Sequence, residues 1–353
     1  MRLDYEDKYK KGINIPPVGL INFSKAHKRS KNYKNYKDAY MFNSCYINSS
    51  IQCLFRLDEF VINILKCDKG NLVFATKNLI HCMQNNKNLK NKCCSISEIK
   101  QVMGEKNEKY KGNEQQDANE FISNYLNDLA EETKDIGKFN WKYLKKDEKD
   151  FHSFLYKYQK KKGNSFILDL FYGLFRKEYY CKNCGNCFVV KFNTFNILEL
   201  PIDEEKYRYQ HNPIDVRDLI EKYISENTSD TEICSICEKD IKIKTSIYSL
   251  PKCLIIYFQR DYDYHKINKI NIQKTLNMEK FICDKSLNDN NYFYHLKGVI
   301  FYSKNSSKTG HYKSACLVNN EQWYYFDDNY YETDRSLLRV YDYENPVFLF
   351  YEK

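Results

Sequence analysis

Residues 42–55 read FNSCYINSSIQCLF, and this stretch predicts a buried helix that begins at Cys45. Its apolar side chains recur at helical spacing, at Ile47, Ile51, Leu54 and Phe55. A thiol in the first turn of a helix lies in the field of unpaired N–H groups and of the helix dipole, which stabilise the thiolate. Because the thiolate is the reactive form, Cys45 is a candidate nucleophile.

A candidate general base lies near the other end of the chain, in the sequence Gly310-His311-Tyr312 at the start of a predicted strand. Asn319-Asn320 predicts a two-residue hairpin turn after that strand. Pairing 318 with 321 puts 311 opposite 328, so that Asp327 or Asp328 can accept a hydrogen bond from the imidazole and fix its tautomer. The spacing alone does not choose between these two aspartates.

Two CxxC pairs predict a metal site. Cys181-Lys-Asn-Cys184 and Cys234-Ser-Ile-Cys237 each present two thiolates across a tight turn, and four thiolates form the tetrahedral site that structural Zn²⁺ prefers. The 49 residues between the pairs exceed the spacing of a compact zinc ribbon, so two distant hairpins must bring them together. Cys187 follows closely and is expected either to replace a ligand or to stay free.

The order of the predicted elements indicates an α+β fold, because helices precede strands without regular alternation. A second amphipathic helix carries the apolar stripe Ala118, Phe121, Ile122, Tyr125, Leu126 and Leu129, and Asn113 with Gln116 predicts a capping box before it. The predicted strands are CLIIYF (253–258), LKGVIFY (296–302), HYKSACLV (311–318), QWYYFD (322–327) and PVFLFYE (346–352). The poorly patterned stretch 207–230 is expected to be a surface insertion or an edge helix.

Composition limits the class of protein. A hydrophobic content of 42% supports a real core, and 47 acidic residues are interleaved with the 56 basic ones, so the net charge of +9 indicates a solvated surface and no nucleic-acid partner. The first residues, MRLDYEDKYKKG, lack the apolar region of a signal peptide, and runs such as CLIIYF are too short to span a bilayer. We therefore expect an intracellular protein of the cytoplasm or nucleus, with no membrane partner and no secreted disulfide framework.

The segment around Cys45 resembles the Cys box of the ubiquitin-specific protease family of deubiquitinating cysteine proteases. The residues that match in register are Asn43, Cys45, Tyr46, Asn48, Ser49, Gln52 and Leu54. This resemblance implies that Cys45 attacks the carbonyl that follows the ubiquitin C-terminal glycine.

In the family, the side chain of an Asn just before the nucleophile donates a hydrogen bond to the oxyanion. This chain departs from the family at that position. The ungapped position is Tyr40, but Gly19-Leu20-Ile21-Asn22 reproduces the start of the box, and 24–40 then resembles an insertion. Our hypothesis is that Asn22 is the displaced oxyanion donor. The insertion carries six basic residues against Asp38 alone, which fits either a contact with an acidic partner or a composition-biased flexible loop.

NEQQDANEFISNYLNDL (113–129) resembles the family's QQD box. Asp117 and Glu120 are neighbours on one helix face, and on pattern alone they fit a solvated acidic edge at a helix start. The resemblance implies instead that both carboxylates pair with the arginines of the ubiquitin tail, Leu-Arg-Leu-Arg-Gly-Gly. It also assigns Gln116 and Tyr312 to the substrate-binding residues.

The family's His box is matched by Gly310, His311, Tyr312, Trp323, Phe326, Asp327 and Asp328. That correspondence implies that Asp327 is the third member of a Cys-His-Asp triad and that Asp328 is an auxiliary residue. The first CxxC arm is similar to the family's fingers lobe, at Leu170, Phe171, Gly173, Cys181, Cys184 and Gly185.

The resemblance implies a papain-like α+β fold, in which residues 1–18 are an N-terminal extension and 19–353 are a single catalytic domain. Its thumb spans about 19–140, its fingers about 170–250, and its palm the remainder. The implied activity is thiol hydrolysis of ubiquitin conjugates through an acyl-enzyme, with one structural Zn²⁺ per chain. Rival hypotheses are a ubiquitin-binding pseudoenzyme, a zinc-stapled adaptor, and a protease for another ubiquitin-like modifier.

Overall fold

The computed structural model describes residues 14–22, 43–86, 93–135, 163–185, 187–202, 213–225, 227–260, 269–283, 291–304, 310–334 and 345–353. The predicted basic insertion 24–40 lies outside these residues. The α-helices of the described part are α1 (Cys45–Leu54), α2 (Asp58–Lys66), α3 (Asn71–Asn85), α4 (Ser97–Lys106), α5 (Ala118–Glu132), α6 (Phe166–Phe171) and α7 (Val216–Ile224). None of them combines the length and the apolar character that crossing a bilayer requires.

The described strands fall mostly in the C-terminal half. They are β1 (Gly19–Leu20), β2 (Cys93–Cys94), β3 (Gly173–Tyr180), β4 (Cys187–Phe195), β5 (Leu198–Pro201), β6 (Ile214–Asp215), β7 (Asn227–Ile233), β8 (Asp240–Ser249), β9 (Cys253–Gln259), β10 (Ile270–Asn271), β11 (Thr275–Asn277), β12 (Phe293–Lys304), β13 (Gly310–Val318), β14 (Gln322–Asp327), β15 (Tyr330–Asp334) and β16 (Asn345–Glu352). Helices first and strands later confirm the predicted α+β class.

The larger sheet has the strand order β15-β14-β13-β12-β16-β9-β5, and β11 pairs with β12 beside it. Its central strands are buried on both faces because a separate core covers each. On β16, Phe348 and Phe350 pack into the core shared with helices α1 to α6, whereas Leu349 and Tyr351 pack into the core on the other face. Successive strand residues point to opposite faces, so this double burial explains why PVFLFY (346–351) carries no charged residue.

Within 207–230, where a surface insertion or an edge helix was expected, a helix does form, α7, and it covers the second core. Val216, Leu219 and Ile220 are all buried there. The apolar residues of α7 recur at i, i+3, i+4, i+7 and i+8, so the amphipathic pattern was present in the sequence and its role in a core was overlooked. A smaller antiparallel sheet, β4-β3-β8-β7, extends from the same region and carries both CxxC turns at its end.

All ten residues of α1 are buried, polar ones included. Its apolar side packs on the larger sheet at a point of close approach: a Cβ on Gly298 of β12 would lie 2.8 Å from Cys53 Sγ and 3.0 Å from Cys53 Cβ. Cys53 Sγ also lies 3.7 Å from Cys316 Sγ on β13. A side chain at 298 would therefore push α1, and the residue that starts it, away from the sheet.

The opposite side of α1 holds the N-terminal segment 14–22. Gln52 Nε2 donates to Val18 O at 2.7 Å, and Arg56 Nη1 donates to Ile15 O at 2.6 Å. Ile15 and Val18 are themselves in the main core, so the described part of the expected N-terminal extension packs against the helices.

We predict that Gly298→Ala lowers the free energy of unfolding by about 1–3 kcal/mol, because the added methyl group overpacks the contact with Cys53. Gly112→Ala is the matched control, since its Cβ would meet only Glu114 N, at 3.9 Å. We expect this control to stay within about 0.5 kcal/mol of the wild type. Denaturant unfolding measures both, and equal stabilities for the two variants would contradict the close approach.

Candidate active site

Cys45 is the first residue of α1, at the end where the backbone N–H groups point out of the helix. The preceding residue, Ser44, does not cap the helix with its side chain; its hydroxyl donates instead to Ile21 O at 3.3 Å. The amides of the first turn are therefore not blocked by that hydroxyl. Asn43 has a positive φ of 55° and donates to Asn113 O at 2.7 Å, which ties the turn before Cys45 to the loop before α5.

Asn22, the hypothesised oxyanion donor, lies beside the start of α1. Its Oδ1 accepts from Ser44 N at 3.4 Å, and its Nδ2 donates to Asp328 Oδ2 at 2.6 Å. Asn48 Nδ2, one turn into α1, donates to the other oxygen of Asp328 at 2.8 Å. Asp328 has a positive φ of 52°, which turns its side chain away from the strand direction and toward both asparagines.

His311 contacts Asp327: the imidazole Nε2 lies 2.6 Å from Asp327 Oδ1, against 3.9 Å from Asp328 Oδ2. Because a carboxylate accepts, Nε2 carries the proton, and Nδ1 is the nitrogen left to exchange a proton with a thiol. The predicted hairpin turn forms, with positive φ at Asn319 and Asn320, but Val318 pairs with Gln322 instead of 321. The one-residue shift puts Asp327 diagonal to His311 on the same face of the sheet.

Neighbouring charged groups affect the pKa of the His311 imidazole more than burial does. Burial alone would lower the pKa of His311, but the hydrogen bond to Asp327 and the nearby charges of Cys45 and Asp328 raise it to about 10. Burial opposes ionisation of Asp327 too, yet the hydrogen bond from His311 and the Lys313 ammonium lower the pKa of Asp327. The structure therefore brings Cys45, His311 and Asp327 together with an imidazolium favoured between thiol and carboxylate.

Gln115 is a contact that the sequence analysis missed. Its Nε2 donates to Gly310 O at 2.9 Å, and its Oε1 accepts from Gly310 N at 3.1 Å, so one side chain clamps the residue before His311. Gly310 has no room for a side chain, since a Cβ there would overlap the ring of Tyr302. Gln115 is marked in the sequence as the first residue of the QQD motif. Its partner Gly310, however, lies 195 residues away, and no local pattern indicates that contact.

Asp117 and Glu120 lie at the start of α5. Asp117 is the N-cap: its Oδ1 accepts from Asn119 N at 2.7 Å and from Glu120 N at 3.1 Å. The predicted capping box at Asn113 and Gln116 is therefore wrong, because the helix begins four residues later and Asp117 itself caps it. Gln116 donates to Lys109 O at 3.3 Å, and the Lys109 ammonium forms an ion pair with Glu120.

Tyr312, expected among the substrate-binding residues, is only 8% exposed. Its ring packs on Tyr302 with 4.7 Å between centroids, and it belongs to the main core. Alternation along β13 explains this placement, because His311 and Lys313 point to one face and Tyr312 to the other. Little of the Tyr312 surface is open to a ligand.

The four cysteines of the CxxC pairs converge at the end of the smaller sheet, with their sulfur atoms all within 4.8 Å of one another. Cys181 Sγ lies 3.4 Å from Cys237 Sγ, and Cys184 Sγ lies 3.6 Å from Cys234 Sγ. Zn–S bonds of about 2.3 Å in a tetrahedron require sulfur atoms roughly 3.8 Å apart, so the cluster fits Zn²⁺. The Cys187 side chain lies outside the described residues.

The two CxxC turns share one backbone geometry. Gly185 N donates to Cys181 O at 2.9 Å, and Glu238 N donates to Cys234 O at 2.8 Å. The residue after each second cysteine has a positive φ, 70° at Gly185 and 56° at Glu238. Glycine adopts this conformation readily, whereas at Glu238 the closed turn holds an ordinary side chain in it.

A disulfide joins Cys82 of α3 to Cys94 of β2, although no disulfide framework was expected. β2 pairs in parallel with β1, through Gly19 with Cys93 and Leu20 with Cys94. The disulfide therefore connects α3 to the strand that lies alongside the segment leading to Asn22.

Comparison with known proteins gives one consistent result. Residues 39–351 match the model of a family described as ubiquitin carboxyl-terminal hydrolase. The chain is 24% identical over 327 residues to ubiquitin carboxyl-terminal hydrolase Usp2 of Drosophila melanogaster, covering 88% of this chain and 34% of that protein. It is 27% identical over 315 residues to human ubiquitin carboxyl-terminal hydrolase 2, covering 81% and 50%. The chain thus spans half or less of the length of these relatives.

Solved structures are similar over almost the whole chain. One is a chain of the SAGA DUB module Ubp8/Sgf11/Sus1/Sgf73 bound to monoubiquitin, with a TM-score of 0.66, 16% identity, and coverage of 99% of this chain and 73% of that one. A second is the same module bound to ubiquitin aldehyde, with a TM-score of 0.66, 17% identity, and coverage of 99% and 74%. This similarity confirms the predicted papain-like α+β fold with thumb, palm and fingers lobes.

We predict that Gln115→Ala slows alkylation of Cys45 by iodoacetamide about tenfold at pH 7, because His311 loses the clamp that holds it beside the thiol. Peptide mass spectrometry resolves Cys45 from the other cysteines. Gln101→Ala is the matched control, since Gln101 is exposed on α4 and contacts only Glu105 among the described residues. Equal alkylation rates in Gln115→Ala and the wild type would contradict a positioning role.

Proposed function

Because this chain belongs to the ubiquitin carboxyl-terminal hydrolase family, we propose that it is a cysteine-type deubiquitinase that cleaves the isopeptide or peptide bond after the ubiquitin C-terminal glycine. The observation that carries the proposal is the 2.6 Å contact of His311 Nε2 with Asp327, on an imidazole that lies close enough to Cys45 for the charge of the thiolate to raise its pKa. A nucleophile, a base and a group that orients the base are the minimum set for acyl transfer through a thioester.

In the proposed reaction, the Cys45 thiolate attacks the carbonyl carbon of the scissile bond, and the C–N bond breaks as the amine leaves. The imidazolium of His311 supplies the proton that the departing amine needs. Water then attacks the thioester while neutral His311 accepts its proton, which releases the ubiquitin carboxylate and restores the thiolate. Asp327 stabilises the imidazolium through both halves of the cycle, and the lowered pKa of Asp327 suits this task.

The oxyanion that forms at each step would be held by the Cys45 N–H and by Asn22 Nδ2. An amide nitrogen carries two hydrogens, and Asn22 uses one of them on Asp328 Oδ2, so the second is available to a substrate oxygen. Asp328 would act as an auxiliary group, since its carboxylate orients the Asn22 amide and Asn48 holds the carboxylate in turn.

The substrate tail would be recognised by the carboxylates at the start of α5. The N-cap hydrogen bonds of Asp117 go to Oδ1, which leaves Oδ2 for an arginine of the tail, and the Glu120 side chain is 55% exposed one helical turn away. A tail with two arginines matches a pair of carboxylates in charge and spacing. Gln116 would contribute indirectly, by holding the backbone of Lys109, and Tyr312 would support the palm from within the core.

Zn²⁺ held by Cys181, Cys184, Cys234 and Cys237 would be structural, because four thiolates leave no coordination position for water. It would fix the end of the smaller sheet, where Ile233 and Ile236 expose 65% and 63% of their surfaces to a partner. Residues 19–353 would act as one catalytic domain. Its partners would be ubiquitin and ubiquitin conjugates, and its site of action would be intracellular. A pseudoenzyme, an adaptor and a protease for another modifier remain the alternatives.

We predict that ubiquitin bearing a C-terminal electrophile labels the wild-type chain covalently at Cys45, and that labelling is lost in Cys45→Ala and in His311→Ala. Mass spectrometry locates the adduct. Binding without labelling would favour the pseudoenzyme, no binding would favour the adaptor, and labelling by a probe made from a different modifier alone would reassign the substrate.

Asn22→Ala should lower kcat for a ubiquitin substrate by about 10²–10³, the usual cost of a lost oxyanion donor, with KM nearly unchanged. Asn329→Ala is the matched control, because Asn329 Oδ1 accepts from the Asn22 backbone N–H and its loss leaves the Asn22 amide side chain in place. If Asn22→Ala keeps the wild-type kcat, the oxyanion donor lies elsewhere.

A further inference from the structure

Lys109 pairs with one of the two carboxylates that the substrate tail would need. It lies in a single 3-10 turn, Glu108–Tyr110, between α4 and α5. Its ammonium forms an ion pair with Glu120 and also feels the charge of Asp117. One lysine of the chain itself therefore stands at the place where the proposed function puts the arginines of ubiquitin.

The position of Lys109 is held from several sides. Asn107 Oδ1 accepts from Lys109 N at 3.3 Å, and Gln116 Nε2 donates to Lys109 O at 3.3 Å. The ammonium lies 5.1 Å from the centroid of the buried Tyr110 ring, and only 22% of the Lys109 side chain is exposed. A side chain held in this way has already lost much of its conformational entropy, so its ion pair is more persistent than that of a free surface lysine.

We propose that Lys109 is an intramolecular competitor of the substrate tail, with its ammonium paired to Glu120 and close to the charge of Asp117. This inference rests on the proposed function and adds an intramolecular competitor to its substrate-binding site. A tail arginine must displace the Lys109 ammonium or share the carboxylates with it, so each binding event exchanges one cation for another. The net gain is smaller than for two unoccupied carboxylates.

The exchange favours arginine over other cations. A guanidinium can form two parallel hydrogen bonds to one carboxylate, whereas the ammonium of Lys109 is a point charge. A tail that carries arginines can therefore displace Lys109, while a tail with a lysine or a neutral side chain at the same position gains too little. Lys109 thus lowers the affinity for tails that pair with these carboxylates and leaves the affinity for a tail without a cation unchanged.

Lys109→Met tests this inference, because methionine keeps the unbranched stem over Tyr110 and removes the charge. We expect KM for a ubiquitin substrate to fall about three- to tenfold, with kcat within twofold of the wild type, as befits loss of a partly exposed competing ion pair. Lys109→Arg should raise KM above the wild-type value, because a guanidinium at this position would compete with the tail arginines on equal terms. With a ubiquitin whose two tail arginines are replaced by alanine, Lys109→Met and the wild type should have the same KM.

Lys111→Met is the matched control. Lys111 lies two residues further along the same loop, pairs with Glu108 and is 57% exposed, so its loss changes the net charge equally without contacting Glu120 or Asp117. Its KM should stay within twofold of the wild type. An unchanged or raised KM in Lys109→Met, or an equal fall in both variants, would overturn the competition. Absence of wild-type labelling by the electrophilic ubiquitin probe would instead overturn the proposed function, and the competition with it.

Discussion

The site depends on the burial of polar side chains on helix α1. Asn48 and Gln52 are buried together with the apolar residues of the helix, and Arg56 just beyond its end is buried too. A buried amide or guanidinium without partners costs several kcal/mol, so these groups must find acceptors nearby. They find them in the carbonyls of Leu20, Val18 and Ile15. Three side chains spaced by four residues therefore fix the path of the N-terminal segment along the helix.

That path explains how Asn22 reaches the nucleophile. The row of hydrogen bonds from Asn48, Gln52 and Arg56 ends at the first turn of α1. The N-terminal segment held by these bonds continues for two more residues, to Asn22. Asn48 contacts both the N-terminal segment and the active-site carboxylate, because its Nδ2 lies 3.3 Å from Leu20 O and 2.8 Å from Asp328 Oδ1. Asn48 and Gln52 of the Cys box therefore have a structural role. They hold the segment that places Asn22 beside Cys45, and Asn48 also holds the Asp328 carboxylate that orients the Asn22 amide.

The sequence predicted the elements well where the hydrophobic pattern was strong. The apolar stripe of α5 is buried throughout, and the five predicted strands of the larger sheet lie within two to three residues of their predicted ends. It predicted the register of the β13–β14 hairpin only to one residue, because Glu321 follows the two-residue turn without entering the ladder. Cys45, His311 and Asp327 carried clear local motifs, and the structure brings them together.

What the sequence could not predict is the set of contacts between distant segments. The clamp of Gln115 on Gly310 and the ion pair of Lys109 with Glu120 join polar residues whose partners no local pattern indicates. The role of Asp117 was ambiguous for a different reason, since a carboxylate at the start of a helix can cap the helix or bind a ligand. In the structure Oδ1 of Asp117 caps α5, which leaves Oδ2 for a ligand. The disulfide between Cys82 and Cys94 joined two cysteines that no spacing rule selects.

These long-range contacts also determine when the reactive centre can exist. Cys45 is near one end of the described chain, whereas Asp328 and Gly310 meet Asn22, Asn48 and Gln115 across separations of 306, 280 and 195 residues. Loop closure over such distances is unfavourable until the surrounding core is formed. Without the β13–β14 hairpin, Cys45 has neither His311 nor the carboxylates beside it, so the helix dipole alone acts on its thiol. The complete centre therefore requires the larger sheet to be packed against α1, and the lack of a side chain at Gly298 allows the close approach to Cys53 on which that packing depends.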